Sequence, residues 1–395
     1  MTDSRSSYLH TLAAQVWPAP ARPAVRRGGP GYVVVPGVRD PRLLVSGSGR
    51  AAAAAVRASL VPPTRRARLR QAAVGALFRV GLGRLAFRYR LDPGDPQGVG
   101  LDRHLAAVCG SEVRLSAHLG PPRATRKPVL QLRTPAGAPA GYAKLGVDPL
   151  TCRLVAAEAA ALRRLAGLDL GPVVVPHLRH HGRWRGAELL VQSALPVHLP
   201  PATPAAAAAA VRDAMVEVSR AAGVRRGRLR GSGYAAGLAA RVTALGPRPE
   251  RPRLAALLAR AGAEDPVTAF GCWHGDWNGG NGLALADGRV LVWDWERFAE
   301  DVPVGFDALH HRLQRDFSAG VAPWRAAAGL LRDAAGCLRQ FDQPAPAALI
   351  ALLYLVDLAA RYLADGQRAA GSAVGDVGAW LVPAAEEHLE RSRSR

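Results

Sequence analysis

The sequence predicts an α+β fold of two lobes, a small β-rich lobe followed by a mostly helical one, with a basic N-terminal extension. Three observations predict it. Residues 110–195 read as three strands, a helix and two strands. From Ala205 onward the pattern is mostly helical. That helical half is interrupted once, by residues 271–298, which run loop, strand, loop, strand. At 395 residues the chain exceeds what one hydrophobic core normally serves, so two or three cooperating units are expected. Residues 1–100 would be the extension, 101–197 the β-rich lobe and 198–390 the helical lobe.

Taken in order, residues 1–30 are polar and rich in Pro and Arg, and are expected to be loosely ordered. Residues 31–44 (GYVVVPGVRDPRLL) predict two short strands around a Pro-Gly turn, and 51–59 an alanine-rich helix. Residues 65–90 make a Gly-interrupted amphipathic helix, with Leu69, Val74, Leu77, Phe78, Val80, Leu82, Leu85 and Phe87 as its apolar positions. DPGDPQGVG (92–100) is a linker and the first expected boundary. Strands follow at 112–117, 129–133 and 140–147, the last two joined by a TPAGAP turn. Thr151 is placed to cap a helix reaching Leu165, and two more strands follow at 173–178 and 187–194. Residues 196–204 form a second linker.

The charge narrows the function classes. Of 52 basic residues only Lys127 and Lys144 are lysine, so the net charge of +21 reflects a bias toward arginine. It is concentrated early: residues 1–100 hold 16 Arg against 4 Asp, whereas the chain after residue 199 is nearly neutral. A solvated arginine face on an ordinary domain helix is the preferred reading of 65–90, with peripheral contact to anionic lipid or an acidic partner as the alternative. Nucleic acid is not expected, since neither a recognition motif nor interleaved aromatics accompany the charge. Apolar runs near 72–87 and 347–363 are broken by Arg79, Arg84, Asp357 and Arg361, so no membrane span is expected. Four scattered cysteines with no CxxC pair fit reduced thiols in a cytoplasmic protein.

The interruption reads CWHGDWNGGNGLALADGRVLVWDWERF. His274-Gly275-Asp276 comes first, Asn281 follows five residues after the aspartate, and Asp294 ends the apolar strand 290–293. Phosphoryl transfer from a magnesium nucleotide needs such a set: one carboxylate to orient the acceptor hydroxyl, and an amide and a second carboxylate for the metal. A turn at Asp287-Gly288 makes a hairpin that brings both ends of the segment together.

These motifs resemble the aminoglycoside phosphotransferase and choline kinase branch of the protein-kinase-like fold. That family shows HGDxxxxN and then a strand ending in Asp-[Trp/Phe]-Glu, matched here by His274–Asn281 and Asp294-Trp295-Glu296. The resemblance implies Asp276 as the catalytic aspartate, Asn281 and Asp294 as Mg2+ ligands, His274 as a brace of the loop, and Glu296 as a brace or else a contact to a second metal. It also implies a third-strand lysine on the nucleotide phosphates and a helical glutamate to position it. Lys144 in GYAKLG and Glu158 in LVAAEAAALRRL occupy those places. Glu158 stands among apolar neighbours, where an unpaired carboxylate would be costly, and an ion pair with Lys144 answers that cost; the alternative is that both are solvated surface residues. The adenine of ATP would lie against Gln192, Ser193, Ala194 and Leu195 through backbone hydrogen bonds. One departure stands out: the first two strands are joined by HLGPPRATRK, with the single glycine Gly120 instead of GxGxxG. Backbone groups or Arg123, Arg126 and Lys127 could take its place.

Other polar clusters are discounted. HLRHH (His177, His180, His181) lacks an accompanying acid or cysteine and is read as a solvated loop. Asp307 is expected to brace or cap, Cys272 to be a packed thiol, and Trp277 to be core or to face an acceptor. The expected activity is transfer of the ATP γ-phosphate to a hydroxyl of a small molecule, with a non-catalytic nucleotide-binding scaffold as the alternative.

Overall fold

A computed structural model describes residues 5–47, 49–58, 65–372 and 374–393. The chain begins with α1 (Arg5–Val16), β1 (Ala24–Arg27), β2 (Tyr32–Val35), β3 (Leu43–Val45) and α2 (Gly49–Arg57). Next come α3 (Arg65–Arg79), α4 (Gly83–Ala86), β4 (Tyr89–Asp92), α5 (Leu101–Cys109), β5 (Arg114–His118), β6 (Val129–Arg133) and β7 (Pro139–Gly146). After α6 (Pro149–Leu165) follow β8 (Val173–Val174), β9 (Leu178–Trp184), β10 (Ala187–Gln192) and α7 (Pro204–Arg220). The rest is β11 (Arg225–Arg228), α8 (Gly233–Thr243), α9 (Glu250–Ala261), β12 (Val267–Trp273), β13 (Gly282–Ala284), β14 (Val290–Val292) and β15 (Ala299–Pro303), then α10 (Phe306–Ser318), α11 (Pro323–Arg332), α12 (Ala334–Leu338), α13 (Ala347–Asp365) and α14 (Val377–Arg393). The fold is α+β, and it divides into two compact units, Met1–Ala159 with Pro176–His198, and Ala160–Val175 with Leu199–Arg395.

The first unit is built on a nine-stranded sheet of order β1-β4-β2-β3-β5-β6-β7-β10-β9. Its strands follow the period-two rule: Val33 and Val35 face one side and Val34 the other, and Leu43 and Val45 are likewise opposed to Leu44. One side is packed by α1 and α5 through Leu9, Leu12, Val16, Leu101 and Leu105. The other is packed by Ala52, Ala55, Val56 and Phe78 of α2 and α3.

Several expectations are corrected here. Residues 5–16 are helical, not loose, because Tyr8, Leu9, Leu12 and Val16 share one face and are buried. The expected 51–59 helix is α2, ending at Arg57; Ser59 lies outside the described residues. The single 65–90 helix is two, separated by Gly81 at φ 82°, and its last residues enter β4. The break at 92–100 does not part an extension from a lobe. β3 pairs with β5 in register Leu43↔His118, so residues 1–100 and 101–197 share one sheet. α5 was unforeseen. At α6, the Asp148 carboxylate accepts from the Leu150 and Thr151 amides, so Asp148 is the cap and not Thr151. The expected strand at 173–178 ends at Val174, and β9 takes in the HLRHH stretch as strand, not loop.

In the second unit α7 starts from Thr203, whose side chain accepts from the Ala206 amide. Two three-stranded sheets follow, β11-β12-β15 and β13-β14-β8, in which β8 runs parallel to β14. α13 is long and apolar enough to cross a membrane by length and composition, but most of it is buried. It forms the centre of this unit's core, with Ile350, Leu353, Tyr354, Leu355 and Val356 fully covered.

Candidate active site

The loop after β12 is held from several sides. Gly275 has φ 83°, and a Cβ there would stand 2.4 Å from the Arg297 carbonyl oxygen, so the bend requires glycine. Asp307, in the first turn of α10, accepts from the amides of His274 (2.6 Å) and Gly275 (3.0 Å). Burial raises the Asp307 pKa although these amides favour its charged form. His274 is fully buried against Trp295 and Trp277, and burial lowers its pKa. Its Nδ1 accepts from the Asp276 amide at 3.1 Å, so the ring proton sits on Nε2, 3.0 Å from the Trp293 carbonyl. The histidine therefore braces the loop.

Asp276 is positioned through both carboxylate oxygens. Oδ1 is 3.1 Å from His310 Nε2, and Oδ2 accepts from Asn281 Nδ2 at 3.0 Å. His310 is itself 2.9 Å from the Tyr354 hydroxyl through Nδ1. Burial lowers the His310 pKa, which makes the ring neutral with one N–H. A carboxylate can only accept, so that proton is on Nε2, and Nδ1 accepts from the tyrosine. The order is Tyr354 O–H to His310, and His310 N–H to Asp276. Packing around the loop opposes ionisation of Asp276, but the His310 hydrogen bond and the positive charge of Arg361 outweigh it and hold the carboxyl well below its usual range. Arg361 reaches the loop directly, donating to the Gly275 carbonyl at 2.5 Å. The Asp276 side chain remains 38% exposed.

Asn281 and Asp294 are brought together by the β13–β14 hairpin. Gly282 pairs with Val292, and the Trp293 amide donates to the Asn281 carbonyl at 3.0 Å, one residue from Asp294. Asn281 Nδ2 serves the Asp276 carbonyl (2.8 Å) and carboxylate, which leaves its amide oxygen for another partner. Asp294 has φ 66°, a left-handed conformation that a non-glycine residue adopts at a cost of order 1–3 kcal/mol. One amide oxygen and one carboxylate suit Mg2+, which takes oxygen ligands and completes its shell with substrate phosphates and water. Among the described residues no cluster of three His, Cys, Asp or Glu side chains offers a metal a complete protein cage.

In the first unit Lys144 on β7 and Glu158 on α6 form the expected pair. Nζ lies 2.6 and 2.7 Å from the two carboxylate oxygens, and both side chains are buried. Gln192 ends β10, opposite Tyr142 of β7. Its Oε1 is buried without a hydrogen-bond partner. The Ser193 amide donates to the His177 carbonyl and the Leu195 carbonyl accepts from Val197. The Ala194 and Leu195 amides have no partner among the described residues.

Other polar groups fall into place. Trp277 is buried, which makes it core and removes it as an acceptor contact. Burial pushes the Cys272 thiol up, as for a packed side chain. The HLRHH stretch does have an acid beside it, with His181 Nε2 2.6 Å from Glu188 of the neighbouring strand. Next to the loop, a cavity of about 500 Å³ is lined by Trp273 and Arg361 among others. Its four lining acids are all paired: Asp357 with Arg241, Asp365 with Arg297, Asp301 with Arg225 and Glu300 with Arg164. His310, Tyr354 and Arg361 were missed from the sequence. The one available signal was a histidine one helical turn after Asp307, on the same face of α10.

No protein-family model matches the chain, and no curated protein does. Solved structures do. A thermostable mutant of the aminoglycoside phosphotransferase APH(4)-Ia shares 14% identity, covering 74% of this chain and 99% of its own, with a TM-score of 0.49. A protein described as a fructosamine-3-kinase from Haemophilus somnus shares 12%, covering 74% of this chain and 96% of its own, at 0.45. The choline kinase LicA from Streptococcus pneumoniae shares 15%, covering 67% and 89%, at 0.42.

Proposed function

We propose that the protein is a phosphotransferase that moves the γ-phosphate of ATP, with Mg2+, to a hydroxyl group of a small molecule. The observation that carries this is the setting of Asp276: an ionised, partly exposed carboxylate with each oxygen held by a neutral donor, one of them Asn281, whose carbonyl accepts from the residue before Asp294. Asp276 accepts the hydrogen bond of the acceptor hydroxyl and aims its oxygen at phosphorus. A carboxylate held so firmly ionised is a weak base, so orientation dominates and the proton passes late, once the oxygen has begun to bond to phosphorus. His310 and Asn281 keep the carboxylate from rotating. Asn281 and Asp294 would hold the metal, whose charge offsets that of the phosphates. Lys144, fixed by Glu158, is the cation for the nucleotide phosphates, and the Ala194 and Leu195 amides are donors for adenine.

The cavity beside the loop supports an uncharged acceptor such as a sugar over a polycationic aminoglycoside. A polycation needs carboxylates without partners, and the lining acids are each neutralised by an arginine. A Mg–ATP thermal-shift titration followed by a transfer screen over sugars, amino alcohols and aminoglycosides tests the proposal. Turnover of one class is the expected result. A nucleotide shift with no turnover on any acceptor favours the scaffold.

A further inference from the structure

The helix α3 is apolar on two sides. Gly75 and Phe78 are buried toward α2, as a domain helix requires. On the outside, Leu69, Ala72, Ala73, Ala76 and Val80 are all exposed, at spacings that form one continuous stripe. Leu69 is 72% and Val80 66% exposed. The stripe continues past the helix through Leu82, Leu85 (73% exposed) and Tyr89, so five of the nine large apolar side chains exposed among the described residues fall within these 21 positions. The expected domain helix with a solvated arginine face is present, and this exposed apolar stripe runs beside that face.

Exposed arginines stand along the stripe at Arg66, Arg70, Arg79, Arg84 and Arg88. Between Asp40 and Asp92 the sequence has eleven arginines and no acid. A second copy of the chain would bring like charge against like charge and is disfavoured as the occupant. A row of aliphatic side chains bordered by cations is the pattern of a helix lying in a membrane interface, with apolar groups at the acyl boundary and guanidinium groups on lipid phosphates and carboxylates.

We propose that the α3–α4 face, from Leu69 to Tyr89, docks the protein peripherally on anionic lipid bilayers. The inference stands apart from the catalytic reading, because none of these residues belongs to the candidate active site.

The test is co-sedimentation of the full-length chain with vesicles of phosphatidylcholine alone and of phosphatidylcholine with phosphatidylserine. The expected result is binding to the anionic vesicles that weakens as salt is raised, with little binding to the neutral ones. Arg70→Gln/Arg79→Gln/Arg88→Gln should weaken binding about a hundredfold, at about fivefold for each basic residue at the surface. Leu69→Gln/Leu85→Gln should weaken it about tenfold or more by removing apolar insertion. These side chains are exposed, so melting temperature and phosphate transfer should stay at wild-type values, which separates lost docking from lost folding. Equal retention on both vesicle types, wild-type binding by both variants, or capture by an acidic protein without vesicle binding would overturn the proposal.

Discussion

Glu158 in the first unit and Asp276 in the second are both carboxylates with both oxygens engaged, but their partners differ in kind. Glu158 receives both oxygens' contacts from one ammonium, Lys144, and neither side chain is open to solvent. Its charge is cancelled where it stands, and the result is a fixed lysine. Asp276 is held by an imidazole N–H and an amide N–H, and more than a third of its side chain is exposed. Neutral donors orient a charge without cancelling it. A buried pair thus immobilises a group, whereas a carboxylate on neutral supports stays available for chemistry.

Breaking the second arrangement should have the largest effect. Asp276→Ala is expected to lower phosphate transfer by about 10²–10⁴-fold, the range for a positioned acid or base, while the Mg–ATP thermal shift persists. Normal turnover by that variant would remove the contrast. Next is the pair. Lys144→Met alone should destabilise the protein by about 3–5 kcal/mol in urea unfolding, because the buried Glu158 carboxylate loses its ammonium. The double variant Lys144→Met/Glu158→Leu should recover most of that stability and none of the activity, which would separate structural from catalytic need. If the double variant were active, Lys144 would have no role on the nucleotide.

Smaller effects sharpen the comparison. Tyr354→Phe removes the hydroxyl that fixes the His310 tautomer, and kcat should fall about tenfold, as for the loss of one buried hydrogen bond, with KM for ATP unchanged. An equal loss in KM would point to general loosening instead. The smallest effect concerns pH. Burial, reinforced by Arg123, Arg5 and Arg42, lowers the His118 pKa from 6.5 to about 4. Between those values the unfolded chain binds more protons than the folded one, so stability is full above pH 6.5 and declines as pH falls toward 4. His118→Gln should flatten the melting-temperature profile over that window, and an unchanged slope would remove His118 as its cause.

Much of the candidate site was legible because its signals are local or chemically conspicuous. HGDxxxxN and Asp294 fall within one short segment whose hairpin is visible in its alternation and Asp-Gly turn. Lys144 and Glu158 stand out as a rare lysine and a lone acid in an apolar helix. His310, Tyr354 and Arg361 were not legible, since their contacts to Asp276 and Gly275 join residues 34 and 86 positions apart, and to each other 44 apart. Asp92–Gly100 misled for a related reason: Pro and Gly mark a turn but do not say whether the strands on either side share a sheet.

By itself, then, the sequence determined the α+β class, five of the six strands and the helix between residues 114 and 192, and which polar residues share the loop after β12, because periodicity, turns and residue type act over a few positions. Only the tertiary structure decided that the first hundred residues extend that same sheet, that a tyrosine and a histidine orient Asp276, and that α3 turns a second apolar face outward. Those outcomes depend on which surfaces meet, and burial is a property of the packed whole that no local pattern contains.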